Sequence, residues 1–161
     1  MAKKILVAID GSEPSMKAVR YVGETVLGCK EIEITLFSIL PEIPHELYKG
    51  LSDELKQMIP GFESKLGSLA DIRHLEEGEL RKALEEAKGV LVSFGIPEDK
   101  IEIKVKRKKE GVARDILREV EKYGYDTIVV GRRGKAGAFF IGSVSTKVVN
   151  NARNCAVWVV D

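Results

Sequence analysis

The sequence has little cysteine, almost no net charge and no long apolar run. Cys29 and Cys155 are its two cysteines, and the absence of a CxxC or Cys/His cluster argues against a disulfide scaffold and a structural zinc site. With 26 lysines and arginines against 25 aspartates and glutamates, the net charge is +1, which disfavours a protein that mainly coats nucleic acid or an anionic membrane. No apolar stretch nears the ~20 residues that span a bilayer, and no targeting signal is visible. We therefore expect a cytoplasmic protein with reduced thiols that binds neither nucleic acid nor membrane.

The chain is long enough for one domain with a substantial core. It has 161 residues, of which 44% are hydrophobic and 32% charged, as expected for a buried core under a surface dense in both charges. We predict a single domain over residues 1–161, with an irregular excursion at about residues 41–75, where prolines and glycines are frequent.

Apolar runs alternate with amphipathic segments along the chain. Strands are predicted at Lys4–Ile9, Ile32–Leu40, Ile101–Val105, Asp126–Val130 and Cys155–Val160, and helices at Met16–Leu27, Glu76–Phe94, Val112–Tyr123 and Ser143–Asn151. This alternation predicts an α/β fold: a single open, Rossmann-like, five-stranded parallel sheet in the order 3-2-1-4-5, with helices on both faces. Ligands of such sheets bind beyond the carboxyl ends of the strands, where the chain order reverses.

A glycine-rich segment follows the fourth strand and leads into the last helix. Gly131, Gly134 and Gly142 let backbone N–H groups approach a ligand, and the helix that starts at Ser143 offers unpaired N–H groups and a positive dipole end, which suit phosphate. The cations Arg132, Arg133 and Lys135 lie in the same segment. The alternative is that these glycines make a turn and Ser143 caps its helix. Neither a GxxxxGK[ST] nor a GxGxxG motif is present.

Together, the opening strand that runs into Asp10-Gly11-Ser12, the Gly131-x2-Gly134 and Gly142-Ser143 pairs and the short closing strand resemble the universal stress protein family over nearly the whole chain. Nucleotide-binding members of that family carry G-x2-G-x9-G-[ST], whereas here seven residues separate Gly134 from Gly142, a shortened G-x2-G-x7-G-S loop. The resemblance implies an ATP or AMP site in which Asp10 meets the adenosine, Ala8 packs nearby, the Ile39 backbone reads the adenine edge and Gly131 lies at the ribose. Phosphates would be held by Gly134, Gly142, Ser143, Val144 and Ser145. It also implies Mg²⁺ held through phosphate oxygens, as at many nucleotide sites. No side-chain metal site is evident in the sequence.

Three hypotheses about function are compatible with these residues. The leading hypothesis is an adenine-nucleotide-binding module for stress-response signalling or protection. The alternative is a nucleotide-independent dimerisation and partner-binding module of the same fold. The third is a slow ATP hydrolase, although His45 and His74 have no neighbouring nucleophile and we predict no catalytic residue.

Two strands are predicted at sheet edges. The final strand, residues 155–160, is apolar on both faces, so an exposed edge there favours a homodimer through this strand, as the resemblance also implies. The alternative is that Trp158 packs against a helix of its own chain. The lysines between Lys104 and Lys109 are predicted to protect the other edge, with contact to an anionic partner as the alternative.

Overall fold

The computed structural model describes residues 1–40, 57–58, 62–133 and 142–161. Five strands and four α-helices alternate in these ranges. The strands are β1 (Lys3–Ala8), β2 (Ile32–Leu40), β3 (Ile101–Arg107), β4 (Thr127–Gly131) and β5 (Ala156–Val160). The helices are α1 (Glu13–Thr25), α2 (Phe62–Ser93), α3 (Val112–Tyr123) and α4 (Ser143–Asn151), and a 3-10 turn at Glu98–Lys100 precedes β3.

All strand pairs are parallel and the sheet order is β3-β2-β1-β4-β5, which confirms the predicted topology. Val7 at the centre pairs with Leu36 on one side and Val129 on the other. Helices cover both faces, because one core cluster joins the sheet to α1 and α2 and a second joins it to α3 and α4. The strands closest to the centre are buried on both faces, as their continuous apolar runs predicted.

Helix α2 begins at Phe62, 14 positions before the predicted start at Glu76. The prediction of an irregular segment to about residue 75 was therefore wrong for its last part. Pro60 and Gly61 precede the helix in the sequence. Gly67, one of the glycines on which the prediction of an irregular segment depended, lies inside the helix. A single helical glycine costs only about 1 kcal/mol relative to alanine, which a long helix tolerates. Residues 41–56 and 59–61 of the predicted excursion lie outside the described residues.

The two edge strands are β3 and β5, as predicted. On β3, Lys104 and Lys106 were predicted to protect the edge. In the structure both ammonium groups pair with Glu119 of α3, whose side chain is 2% exposed. Lys104 lies 2.9 Å from the Glu119 carboxylate. Within the described ranges, no helix has an apolar stretch long enough to cross a membrane.

Candidate functional site

The carboxyl ends of β2, β1 and β4 lie side by side, and β1 is the strand from which the chain order reverses. The Ser38 hydroxyl on β2 donates a buried hydrogen bond of 2.6 Å to the carbonyl of Ile9, just after β1. The N–H of Ile9 in turn donates to Phe37 at 2.8 Å. These two bonds hold the start of the following turn at a defined position, at the edge of the sheet where such folds bind ligands.

That turn orients Asp10 at the end of β1. Its Oδ1 accepts from the Ser12 N–H at 2.9 Å and from the Ser12 hydroxyl. Ser12 is the N-cap of α1, and its Oγ accepts from the Ser15 N–H. Helix α1 consequently begins at Glu13, three positions before its predicted start. Asp10 is thus a turn residue, and its exposed carboxylate lies at the carboxyl end of β1.

Gly131, the last residue of β4, lies against the first turn of α1. A Cβ atom there would stand 2.9 Å from the carbonyl carbon of Pro14 and 3.0 Å from its oxygen. Contacts that short require the backbone to move, so glycine lets β4 end directly beside the Asp10 turn. Sequence reasoning placed Gly131 at a ribose or in a simple turn and missed this close approach, which no local pattern reveals.

The first turn of α4 supplies backbone donors at the same edge. The Gly142 N–H donates to the Arg132 carbonyl at 2.9 Å, which joins the two ends of the glycine-rich segment. The N–H groups of Ser143, Val144 and Ser145 precede the first intrahelical bond, from Thr146 to Gly142, and so have no acceptor within the helix.

Ser145 lies in the same turn but is 2% exposed. Its hydroxyl is 3.0 Å from the Arg132 carbonyl and 2.9 Å from that of Gly142. The Ser145 hydroxyl thus links Arg132 and Gly142, which lie at the two ends of the glycine-rich segment. The group of Ser145 that is directed out of the helix end is its backbone N–H.

Most of the other predicted site residues converge here. Ala8 and Ile39 lie near the carboxyl ends of β1 and β2, and Val144 lies in the first turn of α4. All three pack against the core cluster on the face of the sheet that α3 and α4 cover. Gly134 and Lys135 lie outside the described residues. The described part of the predicted site therefore brings Asp10, Gly131 and the start of α4 together.

Arg132 carries a contact that sequence reasoning did not anticipate. Its Nη1 lies 2.8 Å from Oδ2 of Asp161, while its own N–H donates to the Val160 carbonyl at 2.7 Å. The hydrogen bond from Arg132 holds the pKa of Asp161 below its ordinary value, with further attraction from Arg133 and Lys17. The parallel pairing of Gly131 with Val160 explains this contact, because it brings together the residues that follow the two strands, Arg132 and Asp161.

A separate cavity of about 440 Å³ lies towards the other end of the sheet, around the starts of β2 and β3. Its lining includes Glu33, Glu102, Lys104, Tyr123 and Tyr125. It contains none of the predicted site residues, and its mixed charges do not resemble a phosphate site.

The sequence profile of the universal stress protein family matches residues 1–161. No curated protein matches the chain. Among solved structures, the hypothetical protein MJ0577 shares 25% identity at a TM-score of 0.66, with 99% of this chain and 96% of that one aligned.

Two further neighbours contain nucleotides. The universal stress protein from Archaeoglobus fulgidus in complex with dAMP is 17% identical, with 100% and 98% of the two chains aligned and a TM-score of 0.64. The family protein from Arabidopsis thaliana with AMP bound is 19% identical, with 98% and 90% aligned and a TM-score of 0.62. At these identities the two structures establish a shared fold.

Proposed function

Because the chain belongs to the universal stress protein family, we propose that it binds an adenine nucleotide at the carboxyl ends of β1, β2 and β4. The observation that carries this proposal is the convergence of the Asp10 turn, Gly131 and the first turn of α4 on one sheet edge. The dAMP and AMP complexes of proteins with the same fold support an adenine nucleotide as the ligand class.

The two ends of the nucleotide would meet different chemistry. The carboxylate of Asp10 would accept from a sugar hydroxyl, and the backbone of Ile39 would face the adenine edge. The N–H groups of Ser143, Val144 and Ser145 would donate to phosphate oxygens at the positive end of the α4 dipole. Gly142 would leave room for the phosphate through its lack of a side chain. It would not donate a hydrogen bond, since its N–H is already bonded to Arg132.

We propose ATP or AMP as the physiological ligand, with Mg²⁺ held through phosphate oxygens. The phosphates would supply the cation's charged ligands, as they do at many nucleotide sites. The protein would act in the cytoplasm as a stress-response signalling or protective module. We assign it binding, with at most slow ATP hydrolysis: Ser12 holds the Asp10 carboxylate in the turn after β1, and Ser143, Val144 and Ser145 would meet the phosphates with N–H groups rather than with a general base.

Calorimetry with AMP, and with ATP in the presence and absence of Mg²⁺, tests this proposal. Ser143→Pro removes one N–H at the first position of α4, where proline is tolerated, and Gly142 already has the extended backbone that precedes proline (φ −53°, ψ 141°). Loss of one charge-assisted hydrogen bond should weaken binding about tenfold. Val112→Pro, at the first position of α3, is the matched control and should bind normally. Absence of heat with every nucleotide would refute the proposal.

The edge strand β5 supports a second candidate, homodimerisation through residues 155–160. Val159 is 43% exposed on this strand, which pairs only with β4 among the described residues. Trp158 also contacts its own chain, with its ring 5.9 Å from that of Tyr21 in a T-shaped arrangement. The Trp158 contact covers one face of the strand, while its outer backbone edge is available to a second copy.

Sedimentation analysis of Val159→Lys tests the dimer. A buried lysine on each side of a twofold contact would repel its partner, so the variant should become monomeric. Leu27→Lys, at another exposed apolar position, should sediment like the unchanged protein. If the dimer persists in Ser143→Pro and that variant keeps full activity in cells, dimerisation without nucleotide would be the better account.

A further inference from the structure

One exposed ion pair joins the last residue of the described structure to the end of β4. The side chains of Arg132 and Asp161 lie 2.8 Å apart and are 41% and 67% exposed. Exposed pairs of this kind contribute little to folding, because solvent and salt screen them. The pair can therefore separate at little cost when a stronger anion approaches.

The surroundings of Asp161 are those of an anion-binding position. Arg132 is its direct partner, and Arg133, just after β4, and Lys17 of α1 add electrostatic attraction. The side-chain carboxylate of Asp161 is thus bonded to one cation and attracted by two others, close to the segment that leads into α4. A phosphate group has the same sign, a higher charge and more acceptor oxygens than this carboxylate.

Hydrogen bonds hold the backbone of Arg132 in place, whereas its side chain is exposed. Its N–H is bonded to Val160 and its carbonyl accepts from the Gly142 N–H and the Ser145 hydroxyl. The Cα of Arg132 is therefore anchored between β5 and α4, and only the side chain has to move. A guanidinium forms paired hydrogen bonds with phosphate as readily as with carboxylate.

We propose that the Asp161 carboxylate is an internal competitor for the nucleotide phosphate: it holds Arg132 in the unliganded protein and releases it when the phosphate binds. This inference rests on the nucleotide site proposed above. Asp161 then sets the affinity of the site for phosphate without touching the nucleotide.

Titrations of AMP into four proteins test the competition: the unchanged chain, Asp161→Asn, Arg132→Gln and the double variant. Asp161→Asn removes the competing charge, so AMP should bind about three- to tenfold more tightly at low ionic strength, and the gain should shrink as salt is added. Arg132→Gln should weaken binding. In the Arg132→Gln background the Asp161→Asn change should have little further effect. Asp99→Asn, an exposed charge-matched change near the start of β3, should leave the affinity unchanged.

The outcomes separate the inference from the proposed function. If AMP binds but Asp161→Asn is no tighter, the competition is refuted and the nucleotide site stands. The competition would also be refuted if Asp161→Asn tightened AMP binding equally in the presence and absence of Arg132, because the effect would then come from net charge alone.

Pyrophosphate is the second probe, since its binding needs the cations but no contact with adenine. A failure of AMP together with tighter pyrophosphate binding to Asp161→Asn would reject the adenine site and keep the competition. Arg132→Lys, which keeps the charge, should recover part of the lost affinity.

Discussion

Gly131 lies so close to Pro14 that a Cβ atom on the glycine would be 2.9 Å from the proline carbonyl carbon. This contact brings the end of β4 against the first turn of α1. Asp10 lies two residues before Ser12, the N-cap of α1, and Arg132 immediately follows the glycine. The same contact therefore sets the spacing between the two sides of the proposed nucleotide site.

Gly131→Ala should therefore destabilise the fold even without ligand. The added methyl group meets backbone rather than a movable side chain, so the free energy of unfolding should fall by about 1 to 3 kcal/mol, as in other overpacked sites. Urea unfolding measures this directly. Gly89→Ala is the control, because a Cβ there meets nothing within 4 Å and the position is helical, which favours alanine. If Gly131→Ala were as stable as the unchanged protein, the backbone around Pro14 would accommodate a methyl group without cost, and this prediction would be wrong.

Glu119→Gln should destabilise the protein because it leaves Lys104 and Lys106 without their shared countercharge. The Glu119 side chain is 2% exposed, whereas those of the lysines are 22% and 41% exposed. Because water reaches the lysines, we expect a loss of about 1 to 3 kcal/mol, below the 3 to 5 of a fully buried pair. Glu121→Gln, an exposed change on the same helix, should be near neutral. Equal effects of the two variants would contradict this account.

The same cluster should affect how stability depends on pH. Burial opposes the ionisation of Glu119, but hydrogen bonds from Lys106 and Lys104 outweigh it and hold its pKa below the ordinary value. A lowered pKa adds stability that is present above the unfolded value, about 4.3, and lost as pH falls through the folded value. For Lys104, burial is likewise outweighed by Glu119, so its pKa is raised and its contribution disappears only as pH rises through that value.

The difference in unfolding free energy between the unchanged protein and Glu119→Gln should therefore be greatest between about pH 5 and pH 10. It should shrink at acid pH, as the carboxyl is protonated. Urea titrations of both proteins from pH 3 to pH 7 measure the acid limb. A difference that stays constant over this range would mean that the charge of Glu119 is not what stabilises the fold.

Tyr125 and Thr35 form a buried pair that can be tested by a double-mutant cycle. The Tyr125 hydroxyl donates to Oγ1 of Thr35 at 3.0 Å, and both residues are under 8% exposed. Tyr125→Phe should lower the free energy of unfolding by about 1 kcal/mol. Thr35→Val should lower it by about 1 to 3 kcal/mol, because it leaves the buried Tyr125 hydroxyl without its acceptor. The double variant should lose less than the sum of the two single changes. Strict additivity would mean that the hydroxyls do not interact.

The topology followed from the sequence because it depends on local patterns. Continuous apolar runs such as Ile5 to Ile9 identify strands that are buried on both faces, and their alternation with helices leaves few arrangements. The start of α2 was missed because the frequent prolines and glycines of residues 41–75 indicated an irregular segment, although Phe62, Leu66 and Leu69 have helical spacing. A weak local preference was overridden by a long helix.

The candidate site was predictable only in part. Asp10 and Ser143 could be placed because each lies at the end of a strand or the start of a helix, where chemistry and local pattern coincide. The contact of Gly131 with Pro14 and the pairing of Arg132 with Asp161 join positions that are far apart in sequence. Their geometry depends on the register of neighbouring strands and the packing of α1, which no single segment encodes.

Nuclear magnetic resonance of the uniformly ¹⁵N-labelled protein, titrated with AMP, tests the central claim most directly. The account predicts saturable shifts of the backbone amides of residues 10–12, Gly131 and residues 143–145, with the amides near Glu33, Glu102 and Tyr125 unchanged. Shifts confined to the cavity around those three residues, or no shift at millimolar AMP, would contradict the assignment of an adenine nucleotide to the carboxyl ends of β1, β2 and β4.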